Sequence, residues 1–387
     1  MAWRSYIVKW TQTSLISPKN ATRLDLYCQT KRGFRRDAKR PETKKGNVTK
    51  ETHANTSPPE SPQGPPPQPQ RVPRPKLLKP FLFTVGFTGC SFCAAAILQY
   101  ENQKSRVRTL RDDESDKLLQ GSTDMVYWHD WWNKLTDFQR QLILLMSVAD
   151  DFWSSLTEGQ RTVSGIILAN AVVLCCWKIP SLRRSMLKYF ISNPASKSQC
   201  LPMILSPFSH FSVLHFLANM YVLWTFSSGI VSLLGREQFL AVYMSAGVIS
   251  NMLSYLCKTT SGRIFPSLGA SGAVMAVVAA LFATVPEAKL NLIFLPMISL
   301  TAGNALKTLV AIDVTGLLMG WRVFDHASHI GGALFGVWYV AYGHKLIWGK
   351  RDTVVEMWRK IRTPGGGGAR PGGGPENNPK GGPHRPN

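Results

Sequence analysis

Acidic side chains are scarce in this chain of 387 residues: 23 Asp and Glu stand against 45 Lys and Arg, a net charge of +22. The basic excess gathers mostly near the two ends, without the basic–aromatic interleaving of an RNA-binding surface, so no nucleic-acid partner is expected. Cysteines number seven, an odd count, and most lie in apolar runs where Cys packs as a small hydrophobe. No disulfide framework is implied. Cys90 and Cys93 have CxxC spacing but no second pair or histidine beside them, which argues against a zinc or redox site. No apolar h-region follows the first charges, so a secretory signal is excluded. Nor is any internal repeat visible.

What is present is a set of long apolar runs between polar ends, which a mean hydropathy of -0.06 conceals. Residues 1–55 are rich in Lys, Arg, Ser and Thr and poor in acids, the composition of a mitochondrial transit peptide. Residues 56–79 are Pro-rich and read as an extended linker. A first membrane helix is expected over 80–99, with Lys76 and Lys79 on its positive side. Residues 100–160 form an acidic-leaning loop; its Trp128, Trp131 and Trp132 suit an interfacial segment. Six further spans are expected in 161–348, and a Gly/Pro-rich disordered tail in 349–387. Between the fifth and sixth of these seven spans, the short apolar piece Leu290 to Leu300, broken by Pro296, reads as re-entrant or part of a long loop. The fold class is therefore an all-α polytopic membrane protein. A basic N-terminus in the mitochondrial matrix and seven spans put the C-terminus in the intermembrane space by parity, although Lys345, Lys350 and Arg351 oppose that orientation.

Polar groups inside such spans are costly and each calls for a reason. Gly269-Ala270-Ser271-Gly272 opens one span; the two glycines clear space around the Ser271 hydroxyl. His210, His215 and Asn219 have the spacing His-x4-His-x3-Asn, and 215 and 219 share a helix face. They suit either interhelical hydrogen bonding or donation to a developing oxyanion. A third ligand at helical spacing is missing, so no metal is expected there. In Asp325-His326-Ala327-Ser328-His329-Ile330-Gly331-Gly332, with Gly336 beyond, Gly332 and Gly336 form a small-residue face, and His329 lies one turn before it. Asp325 suits an N-cap or an orienting partner for His329. Asp313, mid-span, has no partner that the sequence identifies.

These motifs, in this order, resemble those of the rhomboid intramembrane serine proteases: the GxSG motif at 269–272, the His-x4-His-x3-Asn signature at 210–219, and the histidine–glycine helix at 329–336. The resemblance covers roughly 160 to 348 and implies a six-helix core, here preceded by one extra helix (1+6), as in mitochondrial members of the family. It implies a serine endopeptidase with a Ser–His dyad and no acidic third member. Ser271 is then the nucleophile and His329 the general base and acid. His215, Asn219 and the Ser271 backbone form the oxyanion hole, with His210, Gly269, Gly272, Gly332 and Gly336 in support. No cofactor is implied. The implied partners are the bilayer, single-span inner-membrane substrates of mitochondrial quality control and apoptosis signalling, and inner-membrane scaffold proteins. Where bacterial members often place Tyr four residues after the serine, this chain has Met275. The rival reading is a rhomboid-like scaffold that binds membrane segments without cutting them.

Overall fold

The computed structural model describes residues 76–119, 131–292 and 295–362; the expected transit peptide, most of the Pro-rich linker and the tail beyond 362 lie outside them. The architecture is nearly all helical. Helix α1 (Leu78–Leu119) is followed by α2 (Asp137–Ser155), α3 (Glu158–Cys176), two short α-helices each with a 3₁₀ turn beside it, α4 (Val213–Leu234), α5 (Arg236–Ser261) and α6 (Ser271–Thr284). A β-hairpin of β1 (Lys289–Leu292) and β2 (Leu295–Thr301) leads into α7 (Ala302–Met319), α8 (His326–Trp338) and, after a π-helical turn at Tyr339–Gly343, α9 (Arg351–Arg362).

Caps set several of these boundaries. Thr136 and Thr157 each close a capping box with the Gln three residues on, which separates α2 from α3 at Leu156. Ser212 caps α4, Thr301 caps α7, and Gly320, at φ 71°, ends α7 in the left-handed conformation that glycine adopts readily. Among the described residues, five helices qualify as spans by length and apolar composition: α1, α3, α4, α5 and α7. The 14-residue α6 is apolar but short.

Among the candidate spans α5 is the best buried, with Phe239, Val242, Tyr243 and Ala246 in one apolar core with Val277 and Ala280 of α6 and Leu223 and Ile230 of α4. The extra helix α1 packs on this assembly: Phe92 stacks on Tyr339 at 5.3 Å, and Trp358 Nε1 of α9 donates to Glu101 at 2.9 Å.

Three expectations are corrected here. Leu290 to Leu300 is neither re-entrant nor a plain loop but an antiparallel hairpin, in register Lys289↔Thr301 and Leu290↔Leu300. A short apolar run of this kind fits strand or helix equally, and Pro296 excludes only a helix interior. In addition, the segment grouped with the disordered tail begins with the helix α9, whose Arg359 lies over the Tyr100 ring at 4.6 Å. The 100–160 segment also carries more helix than a loop. Helix α2 exposes Phe138, Leu145, Met146 and Phe152, an apolar face consistent with the interfacial reading.

Candidate active site

Ser271 is the first residue of α6, so its N–H is one of the amides left without an intrahelical partner at a helix start. The preceding Gly269 has φ 132°, and its amide donates to the Ser206 carbonyl at 3.0 Å. A Cβ on Gly269 would lie 2.8 Å from Cε1 of His215, inside contact distance. Glycine is thus required there twice, by backbone angle and by the imidazole beside it.

His329 enters from α8, which lies directly on α6. A Cβ on Gly332 would collide with the Gly272 carbonyl, and one on Gly336 with the Ala276 carbonyl. Gly272 in turn faces the hydroxyls of Ser250 and Ser328. This contact brings His329 Nε2 to 2.8 Å from Ser271 Oγ. The other ring nitrogen, Nδ1, lies 2.9 Å from Oδ1 of Asp313. A carboxylate oxygen accepts only, so Nδ1 carries the proton and Nε2 presents its lone pair to the serine.

Asp313 was noted in the sequence without a partner, and the resemblance implies no acid at all. The αL turn at Gly320 folds α8 back along α7, which brings Asp313, in the second half of α7, against His329 near the start of α8. Phe324, whose ring centroid is 6.1 Å from that of His329, flanks the imidazole on a chain that lacks the bacterial tyrosine.

The remaining expected site residues lie on or just before α4. The position a Cβ would take on Gly269 is 3.2 Å from His215 Nε2 and 3.8 Å from Ser271 Oγ, so the imidazole and the hydroxyl flank one small space. Asn219 is buried, and its Nδ2 donates to the His215 carbonyl at 2.8 Å. His210 packs edge-on against His215 at 5.0 Å and against Phe216.

Asp325 takes the capping position: its Oδ1 accepts from the Ser328 amide at 3.2 Å. Its Oδ2 accepts from Lys258 Nζ at 2.7 Å and Ser254 Oγ at 2.6 Å. Lys258 also donates to Ser267 Oγ at 2.8 Å. Ser267 stands four residues before Ser271 and Asp325 four before His329, so one buried ammonium ties together the approaches to both. The sequence signal was a lysine beside an apolar run, which is costly enough to mark a role. Burial opposes ionisation of Asp325, but the Lys258 ammonium and the hydroxyls of Ser254 and Ser267 outweigh it and hold the carboxyl below its usual range.

Removing one member of a buried pair strands the other charge. Lys258→Met is therefore expected to cost about 3–5 kcal/mol, whereas Lys258→Met with Asp325→Asn, which keeps a capping side chain, recovers most of it. Thermal unfolding in detergent reads both. Because the folded carboxyl titrates below the unfolded one, its stabilisation is complete at neutral pH and lost as pH falls through the carboxylate range; Asp325→Asn flattens that acid limb.

Comparison with known proteins agrees with these motifs. A family model described as the rhomboid domain matches residues 197–346. The chain is 56% identical over 385 residues to presenilin-associated rhomboid-like protein A, mitochondrial, of Danio rerio, covering 97% of this chain and 100% of that one. Its identity to the Homo sapiens presenilin-associated rhomboid-like protein, mitochondrial, is 48% over 369 residues, 92% of each chain. With rhomboid protein 1, mitochondrial, of Saccharomyces cerevisiae it shares 30% over 202 residues, 52% of this chain and 58% of that one.

Proposed function

This chain belongs to the rhomboid family, and on that footing we propose that it is an intramembrane serine protease of the mitochondrial inner membrane that hydrolyses peptide bonds in or near single-span segments. The observation that carries the reading is the continuous path from Ser271 Oγ through His329 to Asp313, at 2.8 and 2.9 Å. A scaffold that only binds membrane segments has no use for a serine hydroxyl aligned on an imidazole lone pair.

His329 Nε2 takes the Ser271 proton as Oγ attacks the scissile carbonyl. The imidazolium that forms keeps its Nδ1–H on Asp313, which stabilises the new charge and fixes the ring. The oxyanion is met by the Ser271 N–H at the positive end of α6 and by His215, with Asn219 holding the α4 side of the hole. On collapse, the C–N bond breaks and Nε2 returns its proton to the leaving amine. Water, deprotonated by the same nitrogen, then releases the acyl group and restores Ser271.

Depth supports an intramembrane site. Fourteen residues of α6 make about 21 Å, less than the hydrocarbon thickness of about 30 Å, so a helix ending at one membrane face leaves Ser271 inside the bilayer. A substrate helix must unwind to offer its carbonyl there, which favours segments with Gly or Pro near the cut. The relatives' names place them in mitochondria, in accord with the basic N-terminus; an N-terminus in the matrix and a C-terminus in the intermembrane space remain the preferred orientation.

A fluorophosphonate probe tests the nucleophile separately from substrate choice. Reconstituted protein is expected to carry one adduct, on Ser271 by peptide mapping, and His329→Ala to slow its formation at least a hundredfold. An adduct elsewhere, or labelling indifferent to His329, rejects the assignment.

A further inference from the structure

The path from Ser271 to Asp313 leaves one buried polar ring unexplained. His326 lies one turn before His329 on α8 and is 4% exposed, with its Nδ1 2.7 Å from the same Asp313 Oδ1 that His329 uses. Its Nε2 is buried and has no partner among the described residues. The rings of Trp321 and Phe324 stand around it. Gly316 of α7 opens the notch that holds it: a Cβ there would come within 2.5 Å of Nε2. A Ser–His–Asp relay needs none of this.

Two imidazole nitrogens and a carboxylate, converging from two packed helices, are the donor set of a zinc site with an open position. The three ligand atoms lie within 4.8 Å of one another. Ligands at about 2.0–2.1 Å from a tetrahedral ion are about 3.3 Å apart, so occupancy requires the two Nδ1–Oδ1 contacts, now 2.7 and 2.9 Å, to open by about half an ångström, and the two imidazole nitrogens, at most 4.8 Å apart, to settle to a similar spacing. We infer that Asp313, His326 and His329 form an inhibitory Zn²⁺ site.

The inhibition follows from the proton count and rests on the protease reading. Catalysis needs the His329 proton on Nδ1 and a free lone pair on Nε2. A metal ion takes the Nδ1 lone pair, and the one proton of the neutral ring must then sit on Nε2. There it faces Ser271 as a donor and accepts nothing. No proton is gained or lost at either imidazole; each moves from Nδ1 to Nε2, and Asp313 turns from stabilising an imidazolium to ligating the ion.

The test begins with Ser271→Ala full-length protein in detergent, which keeps the ligands and cannot cleave. Co²⁺ serves as the probe through its tetrahedral visible absorption. One Co²⁺ per chain, displaced by Zn²⁺, is expected. The signal disappears with His326→Gln added, whose amide still donates to Asp313 but is a poor ligand, and also with Asp313→Asn added; unchanged thermal unfolding excludes misfolding as the cause. In proteoliposomes of the active chain, Zn²⁺ is expected to stop cleavage and a chelator to restore it. His326→Gln, normalised to its own rate without metal, needs at least tenfold more Zn²⁺. Absent Co²⁺ binding, binding unaffected by His326→Gln, or an unshifted inhibition midpoint overturns the site. Co²⁺ binding by a chain that cleaves nothing overturns inhibition and the protease reading while leaving the metal site standing.

Discussion

Asp313→Asn is expected to lower kcat by about three to four orders of magnitude, with KM little changed. An amide that turns its NH₂ toward Nδ1 of His329 stabilises the tautomer with Nδ1 bare and the proton on Nε2, pointed at Ser271. The hydroxyl then has no acceptor, and no carboxylate remains to stabilise the imidazolium. The near-isosteric change leaves packing between α7 and α8 intact, so unfolding shifts little while fluorophosphonate labelling falls in step with kcat. That pairing separates an orienting role from a structural one. A loss below tenfold, with labelling unchanged, would show that the Ser271–His329 pair works as a dyad and that Asp313 only satisfies a buried ring.

The second large effect is expected at the contact between α6 and α8. Gly332→Val places a branched side chain where the Gly272 carbonyl stands. The two helices must part or the backbone must bend, at about 1–3 kcal/mol of overpacking. Activity suffers more than stability, because a misplacement of about 1 Å between reacting groups costs on the order of a hundredfold. Cleavage is therefore expected to fall at least a hundredfold in protein that still unfolds cooperatively. Gly331→Ala, beside Leu253 Cβ at 3.0 Å and facing α5, serves as the control for added volume on the same helix and is expected to retain far more activity. Equal losses in both would show a general loss of packing rather than displacement of His329.

Much of this site is legible in the sequence because its parts are local. GxSG writes a strained turn and a helix start into four residues, His-x4-His-x3-Asn writes one face of one helix, and Gly332 and Gly336 mark the side on which α8 meets a neighbour. What joins them is not local. Asp313 meets His329 only because the turn at Gly320 folds α8 back onto α7. Lys258 reaches Asp325 across a separation of 67 residues, and nothing in the chain near either residue announces the other. His326 stands out by nothing in its own stretch, because the carboxylate it meets, Asp313, comes from another helix. The β-hairpin was missed for a different reason: Leu290 to Leu300 is too short and too uniformly apolar for periodicity to choose between strand and helix. The start of α9 was absorbed into the tail because Gly and Pro dominate the composition only a few residues later.

The most direct test of the account is cleavage of a single-span substrate by the chain reconstituted in liposomes, with Ser271→Ala measured beside it. The account predicts a substrate cut within or beside its membrane segment, and a rate at least about 10⁴-fold lower in Ser271→Ala, which still folds and still binds that substrate. Equal cleavage by both proteins would contradict it.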